Sequence, residues 1–136
     1  MEKQQLSYTF KSTLEELNRL PYILDQISKT FGLNSETEAK LMLTVSEAVT
    51  NAIRHGNKEN PAKKATMIVT GTNHNELEIT VSDEGDGFKP QEVPDPLADE
   101  NLLKTSGRGV YLMKEYADKV SYNEKGNELT LTFKLN

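Results

Sequence analysis

The sequence predicts an α+β fold: a two-layer sandwich with helices on one face of a mostly antiparallel, mixed sheet. Two observations carry this. Apolar residues in the N-terminal half recur at helical spacing, in two runs with start and stop signals. Three segments further on alternate apolar with polar residues, and a short turn joins two of them.

Residues 7–11, Ser-Tyr-Thr-Phe-Lys, read as a short first strand. Ser12 or Thr13 can cap the helix that follows, and Glu16 stands three residues after Thr13, as in a capping box. Leu14, Leu17, Leu20, Leu24, Ile27 and Phe31 share helical spacing, and Gly32 stops the run. Pro21 falls inside it, predicting a kink or a split into a short turn plus a longer helix. A second helix should start near Asn34 and Ser35, with Ser35 and Glu38 as its capping box, and end at Gly56.

Residues 65–72 and 76–82 read as a hairpin across Asn73, His74 and Asn75. Residues 128–135 alternate Leu129, Leu131, Phe133 and Leu135 with polar residues, and a weaker strand spans 120–122. Between these lies a long stretch, 89–106, with three prolines and four acids, of the kind that serves function or motion in a small domain. A last helix should open at Gly107 or Gly109 and run through Ala117.

At 136 residues the chain fits one domain, 1–136, able to bury a core. The net charge of -5 disfavours sequence-independent nucleic-acid binding. The absence of cysteine removes disulfides, thiolate metal sites and cysteine nucleophiles. His55 and His74 lack ligand-like spacing, so no zinc site is expected. No apolar run has membrane-spanning length and the N-terminus carries no signal-peptide core, so a cytoplasmic protein is expected.

Three constellations carry chemistry. On the second helix, Leu41, Val45, Ala48, Val49 and Ala52 form an apolar arc, and Glu47, Asn51 and His55 line its edge at i, i+4 steps. Such an edge is ordinarily a solvated flank, but an Asn inside a helix has no propensity reason to be there. Next, Leu77, Ile79 and Val81 point to one face of their strand, and Asp83 continues that face. A carboxylate aimed at the core side needs a donor, which an adenine amine or a water supplies. Gly85 and Gly87 allow close backbone approach to a planar base, although an Asp before a Gly is also an ordinary turn. Third, Thr105-Ser106-Gly107-Arg108-Gly109 precedes Val110, Leu112 and Met113. Amides at a helix N-terminus bind anions, Lys104 and Arg108 add charge, and the two hydroxyls add donors. The stretch matches neither the P-loop nor the dinucleotide fingerprint.

Together these motifs resemble the GHKL, or Bergerat-fold, ATP-binding domains of gyrase B subunits, chaperones, mismatch-repair proteins and histidine kinases. Residues 47–56 are similar to the family's N box, 83–88 to its first glycine box and 107–109 to its second. The resemblance is strongest to bacterial anti-sigma factor serine/threonine kinases, whose N box has the form Glu-Ala-Val-x-Asn-Ala-x-x-His-Gly. It implies an ATP/ADP site in which Asn51 holds Mg²⁺, Glu47 is the general base, and Asp83 hydrogen-bonds adenine, with Gly85 and Gly87 shaping the base pocket. His55, Phe88, Lys104, Thr105, Ser106, Gly107, Arg108, Gly109 and Val110 are the further nucleotide contacts implied. Arg108 would also neutralise charge in the transition state, and 89–106 would be the ATP lid. Glu92, Asp95, Asp99 and Glu100 in that lid would repel a polyphosphate if they faced it, so they are expected to point outward or to lie disordered without nucleotide.

The implied partners are a sigma factor and an anti-anti-sigma protein of the STAS type, with no nucleic acid and no membrane. A homodimer is also implied, with Leu14, Leu17, Tyr22 and Ile23 as a candidate dimer or sigma-binding surface. The alternative activity is a nucleotide-gated binding module without phosphotransfer. A histidine kinase catalytic domain ranks lower, because Glu47 stands where such N boxes more usually carry Asn.

Overall fold

The computed structural model describes residues 4–72, 75–85 and 113–135. Strands β1 (Gln5–Lys11), β2 (Lys64–Gly71), β3 (Glu76–Ser82), β4 (Lys119–Tyr122) and β5 (Glu128–Lys134) form one sheet, and helices α1 (Leu20–Phe31) and α2 (Ser35–Asn51) precede β2. The strand order is β1-β2-β3-β5-β4. Every pairing among the described strands is antiparallel, so the sheet is not mixed there.

Alternation decides which face is covered. Phe10, Ala65, Met67, Val69, Leu77, Ile79, Val81, Leu129, Leu131 and Phe133 are buried together with Leu20, Ile23, Leu24 and Ile27 of α1 and Leu41, Val45, Ala48 and Val49 of α2. Strand period two and helix period 3.6 thus meet in one apolar layer. The opposite sheet face is rich in hydroxyls. Thr80 and Thr130 sit opposite each other in the β3–β5 register, with their hydroxyl oxygens 3.1 Å apart.

Pro21 does divide the first helical run. Residues Leu14–Arg19 form a 3-10 turn, and α1 starts with the proline in its first turn, where a missing N–H costs nothing. Gly32 ends α1 in the left-handed conformation at φ 65°.

The capping boxes differ from expectation. Thr13 precedes the 3-10 turn without a side-chain cap, and Glu16 instead accepts from the Lys11 N–H (2.8 Å) and from Arg19 (3.3 Å). Asn34, not Ser35, caps α2: its Oδ1 accepts from the Thr37 N–H at 2.8 Å. Glu38 accepts from the Ser28 hydroxyl, tying α2 to α1.

The second helix reaches Gly56 as expected, but not as one α-helix. The α-helix stops at Asn51, and Ala52–Gly56 is a π turn closed by the Asn57 N–H on the Ala52 carbonyl at 2.8 Å. Residues 113–116 are helical, in line with a helix ending near Ala117; its expected start lies outside the described residues.

Candidate functional site

The site lies where the π turn meets the residues just after β3. Parity places Asp83 on the core side of that strand's end, half-buried. Burial pushes its carboxyl above the ordinary value of 3.8; the Gly85 N–H, Lys63 and Lys125 pull the other way and are outweighed. Among the described residues, only the Gly85 N–H donates to this carboxylate, to Oδ1 at 2.8 Å. Its Oδ2 therefore remains an open acceptor on their side.

Two glycines pack against this carboxylate. The Asp83 carboxylate occupies the space that a Cβ on Gly56 would need. The Gly56 carbonyl oxygen in turn fills the place of a Cβ on Gly85, with Asp83 Oδ1 beside it. Neither contact tolerates a side chain without displacement. The sequence singled out Gly85 for close backbone approach; Gly56, read there only as a helix stop, does the same work.

Glu47 and Asn51 lie one turn apart on α2, both partly buried and flanked by the buried Ala48, Val49 and Ala52. Neither has a hydrogen bond or ion pair with any described residue. A carboxylate and an amide oxygen left open on one helix edge are hard donors of the type that suits Mg²⁺. His55 departs from this pair. It sits in the π turn, where the α periodicity that stacks i and i+4 is broken, and it is exposed.

Further polar residues hold the site together and gave no signal in the sequence. Asn57, 1% exposed, donates through Nδ2 to the Ser12 hydroxyl (2.9 Å) and accepts at Oδ1 from the Glu84 N–H (2.8 Å). The buried Ser12 donates onward to the Lys63 carbonyl at 2.6 Å. Asn127, in the turn before β5, takes the Asp83 N–H on its carbonyl at 2.9 Å. An Asn after a Gly reads as a loop residue, and nothing local marks it as buried.

The remaining expected contacts, Gly87, Phe88, Lys104, Thr105, Ser106, Gly107, Arg108, Gly109 and Val110, lie outside the described residues, as does the expected lid. The candidate docking residues divide. Ile23 belongs to the core, Leu14 and Leu17 pack partly buried against it, and Tyr22 is 81% exposed. No helix among the described residues is long and apolar enough to cross a membrane.

A five-stranded antiparallel sheet with helices on one side, and an acid at a strand end packed on the glycine that closes the helical run of Glu47 and Asn51, has the architecture of the Bergerat fold. The chain belongs to the histidine kinase-like ATPase domain family, whose model matches residues 10–133. It is 33% identical over 97 residues to the serine-protein kinase RsbW of Staphylococcus aureus, a match covering 66% of this chain and 61% of that protein. The alignment thus spans less than two thirds of the relative's length.

Among solved structures, the RsbU and RsbW domains of Rv1364c from Mycobacterium tuberculosis match with a TM-score of 0.62 at 16% identity, covering 97% of this chain and 32% of that one. The histidine kinase domain from the blue-light activated histidine kinase of Erythrobacter litoralis EL346 matches with a TM-score of 0.52 at 22% identity, covering 89% and 60%. These two likenesses concern the fold.

Proposed function

We propose that this chain is an ATP-dependent protein serine/threonine kinase that acts as an anti-sigma factor. The observation that carries the reading is the half-buried Asp83 carboxylate, cradled by Gly56 and Gly85, with one oxygen open. An adenine amine offers the N–H donor that this oxygen lacks, and the two glycines let the backbone close around the carboxylate that would receive it. The triphosphate then extends toward α2. There Asn51 would hold Mg²⁺, which when bound neutralises phosphate charge. The resemblance to serine-protein kinase RsbW supports the choice of reaction.

In the reaction, a serine hydroxyl of a partner attacks the γ-phosphorus. A new O–P bond forms, the bond between the γ-phosphorus and the bridging oxygen breaks, and ADP leaves with that oxygen. Glu47 takes the hydroxyl proton. Arg108 and Lys104, with the amides of 107–109, are assigned the charge on the transferring phosphoryl group. His55 and Val110, with Phe88, Gly87, Thr105 and Ser106, are assigned to nucleotide contact, and 89–106 to the lid.

The phosphorylated partner in this reading is a STAS-type anti-anti-sigma protein. A phosphate adds about two negative charges and weakens docking onto an acidic kinase. Release of that partner frees the kinase to sequester a sigma factor. The reading further takes the protein as a cytoplasmic homodimer that binds neither nucleic acid nor membrane.

Incubating the chain with γ-labelled ATP and a cognate STAS protein tests the proposal: label appears on a partner serine. Tight ATP binding with no labelled product across candidate partners would instead make it a nucleotide-gated binding module.

A further inference from the structure

We propose that Asn57 is a positioning residue for base recognition, acting with Asn127 as an amide clamp on the peptide that follows Asp83. The inference rests on the reading of Asp83 as the adenine acceptor and adds how that acceptor is aimed. The peptide between Asp83 and Glu84 has two polar atoms, and a side-chain amide holds each. Its N–H donates to Asn57 Oδ1 at 2.8 Å, and its carbonyl accepts from Asn127 Nδ2 at 3.3 Å. Both amides are themselves oriented. Asn57 Nδ2 is fixed on Ser12, and Asn127 Oδ1 accepts from Asn123 Nδ2 at 2.8 Å. With the Asp83 N–H held by the Asn127 carbonyl, the backbone on both sides of the Asp83 side chain has little freedom.

The placement of Asn57 links this clamp to the other half of the site. Its own N–H closes the π turn at the end of the helix that carries Glu47 and Asn51. One buried residue therefore sets the base side of the pocket relative to the phosphate side. The chain right after it is strained: Lys58 and Glu59, neither of them glycine, have φ of 52° and 54°. The Glu59 N–H bonds back to the Ile53 carbonyl at 2.8 Å, and the Asn60 N–H to the Asn57 carbonyl at 3.0 Å. Consecutive left-handed residues persist only where neighbouring contacts over-determine them, which is common beside ligand sites.

The test uses the full chain and measures Kd for ATP·Mg²⁺ and GTP·Mg²⁺ together with the melting temperature. Asn57→Leu removes both side-chain bonds with the same number of side-chain heavy atoms; Asn57→Asp keeps the acceptor for the Glu84 N–H; Asn34→Ala removes only a helix cap remote from the clamp. We expect Asn57→Leu to weaken ATP binding about tenfold or more and to shrink the preference for ATP over GTP. Asn57→Asp should stay within about threefold of the parent in both. Asn34→Ala, which removes the α2 cap remote from this clamp, should lower the melting temperature while leaving the ATP preference intact. If Asn57→Leu does not fold, Asn127→Ala takes its place, with the same expected loss of preference.

A folded Asn57→Leu or Asn127→Ala with the parent's ATP affinity and preference overturns the inference. So does a loss of affinity in Asn34→Ala as large as in Asn57→Leu, because the amide would then act through stability alone. No binding of ATP by the parent chain overturns the functional reading itself, and the inference with it.

Discussion

The carboxylate of Asp83 sits in the space that a side chain at position 56 would occupy, so Gly56 and Asp83 are packed as one unit. The two residues come from different layers, one from the end of the helical run and one from the end of β3. Gly56→Ala should therefore displace the carboxylate. We expect overpacking to lower stability by about 1–3 kcal/mol and ATP affinity to fall by at least about tenfold. Denaturant unfolding and calorimetry read the two effects, and a variant that matches the parent in both would separate Gly56 from the site.

Burial of Asp83 costs stability at neutral pH. Its carboxyl is raised by burial, so between 3.8 and its folded value the folded chain binds a proton that the unfolded chain releases. The stability this group contributes is present below 3.8 and is lost as pH rises through the folded value. Asp83→Asn removes that loss. The variant should match the parent below 3.8 and melt higher at pH 7. Its ATP affinity should drop tenfold or more, because an amide NH₂ can face the adenine amine. Thermal melts from pH 3 to 7.5 with and without ATP check both signs; a melting difference independent of pH would place the cause elsewhere.

Much of this was legible in the sequence because the responsible residues act locally. Pro21 and Gly32 fix where α1 begins and ends through backbone constraints of their own. The alternation in β3 and β5 directs Leu77, Ile79, Val81, Leu129 and Leu131 inward, and the same parity puts Asp83 on the core side. What escaped depends on partners distant in sequence. Ser12, Asn57 and Glu84 meet only once the sheet and the helices are assembled. The π turn is likewise invisible to a 3.6-residue period, so His55 reads as stacked below Asn51 when it is exposed. At α2 the cap fell one residue away from expectation because Asn34 and Ser35 are both competent caps.

Glu47 has no described hydrogen-bond or ion-pair partner to keep it, which suits a base that must reach a substrate proton. Glu47→Gln should keep ATP affinity within about twofold and slow phosphotransfer by about 10²–10⁴-fold. Single-turnover transfer to a STAS partner measures it. An unchanged rate would remove Glu47 from proton transfer.

Asn34 offers a control remote from the site. Asn34→Ala removes the Thr37 N–H cap of α2 and should cost about 0.5–2 kcal/mol of stability. Nucleotide affinity should not change at temperatures where the variant is fully folded. An affinity loss there would show that α2 transmits its N-terminal order to Asn51 and Glu47.

The account stands on a purine bound at Asp83. Calorimetric titration of ATP·Mg²⁺ into the parent chain and into Asp83→Ala tests this most directly. It predicts saturable one-site heat for the parent and a loss of about tenfold or more in affinity for the variant. Equal affinities in the two proteins, or no heat in a folded parent, would contradict it.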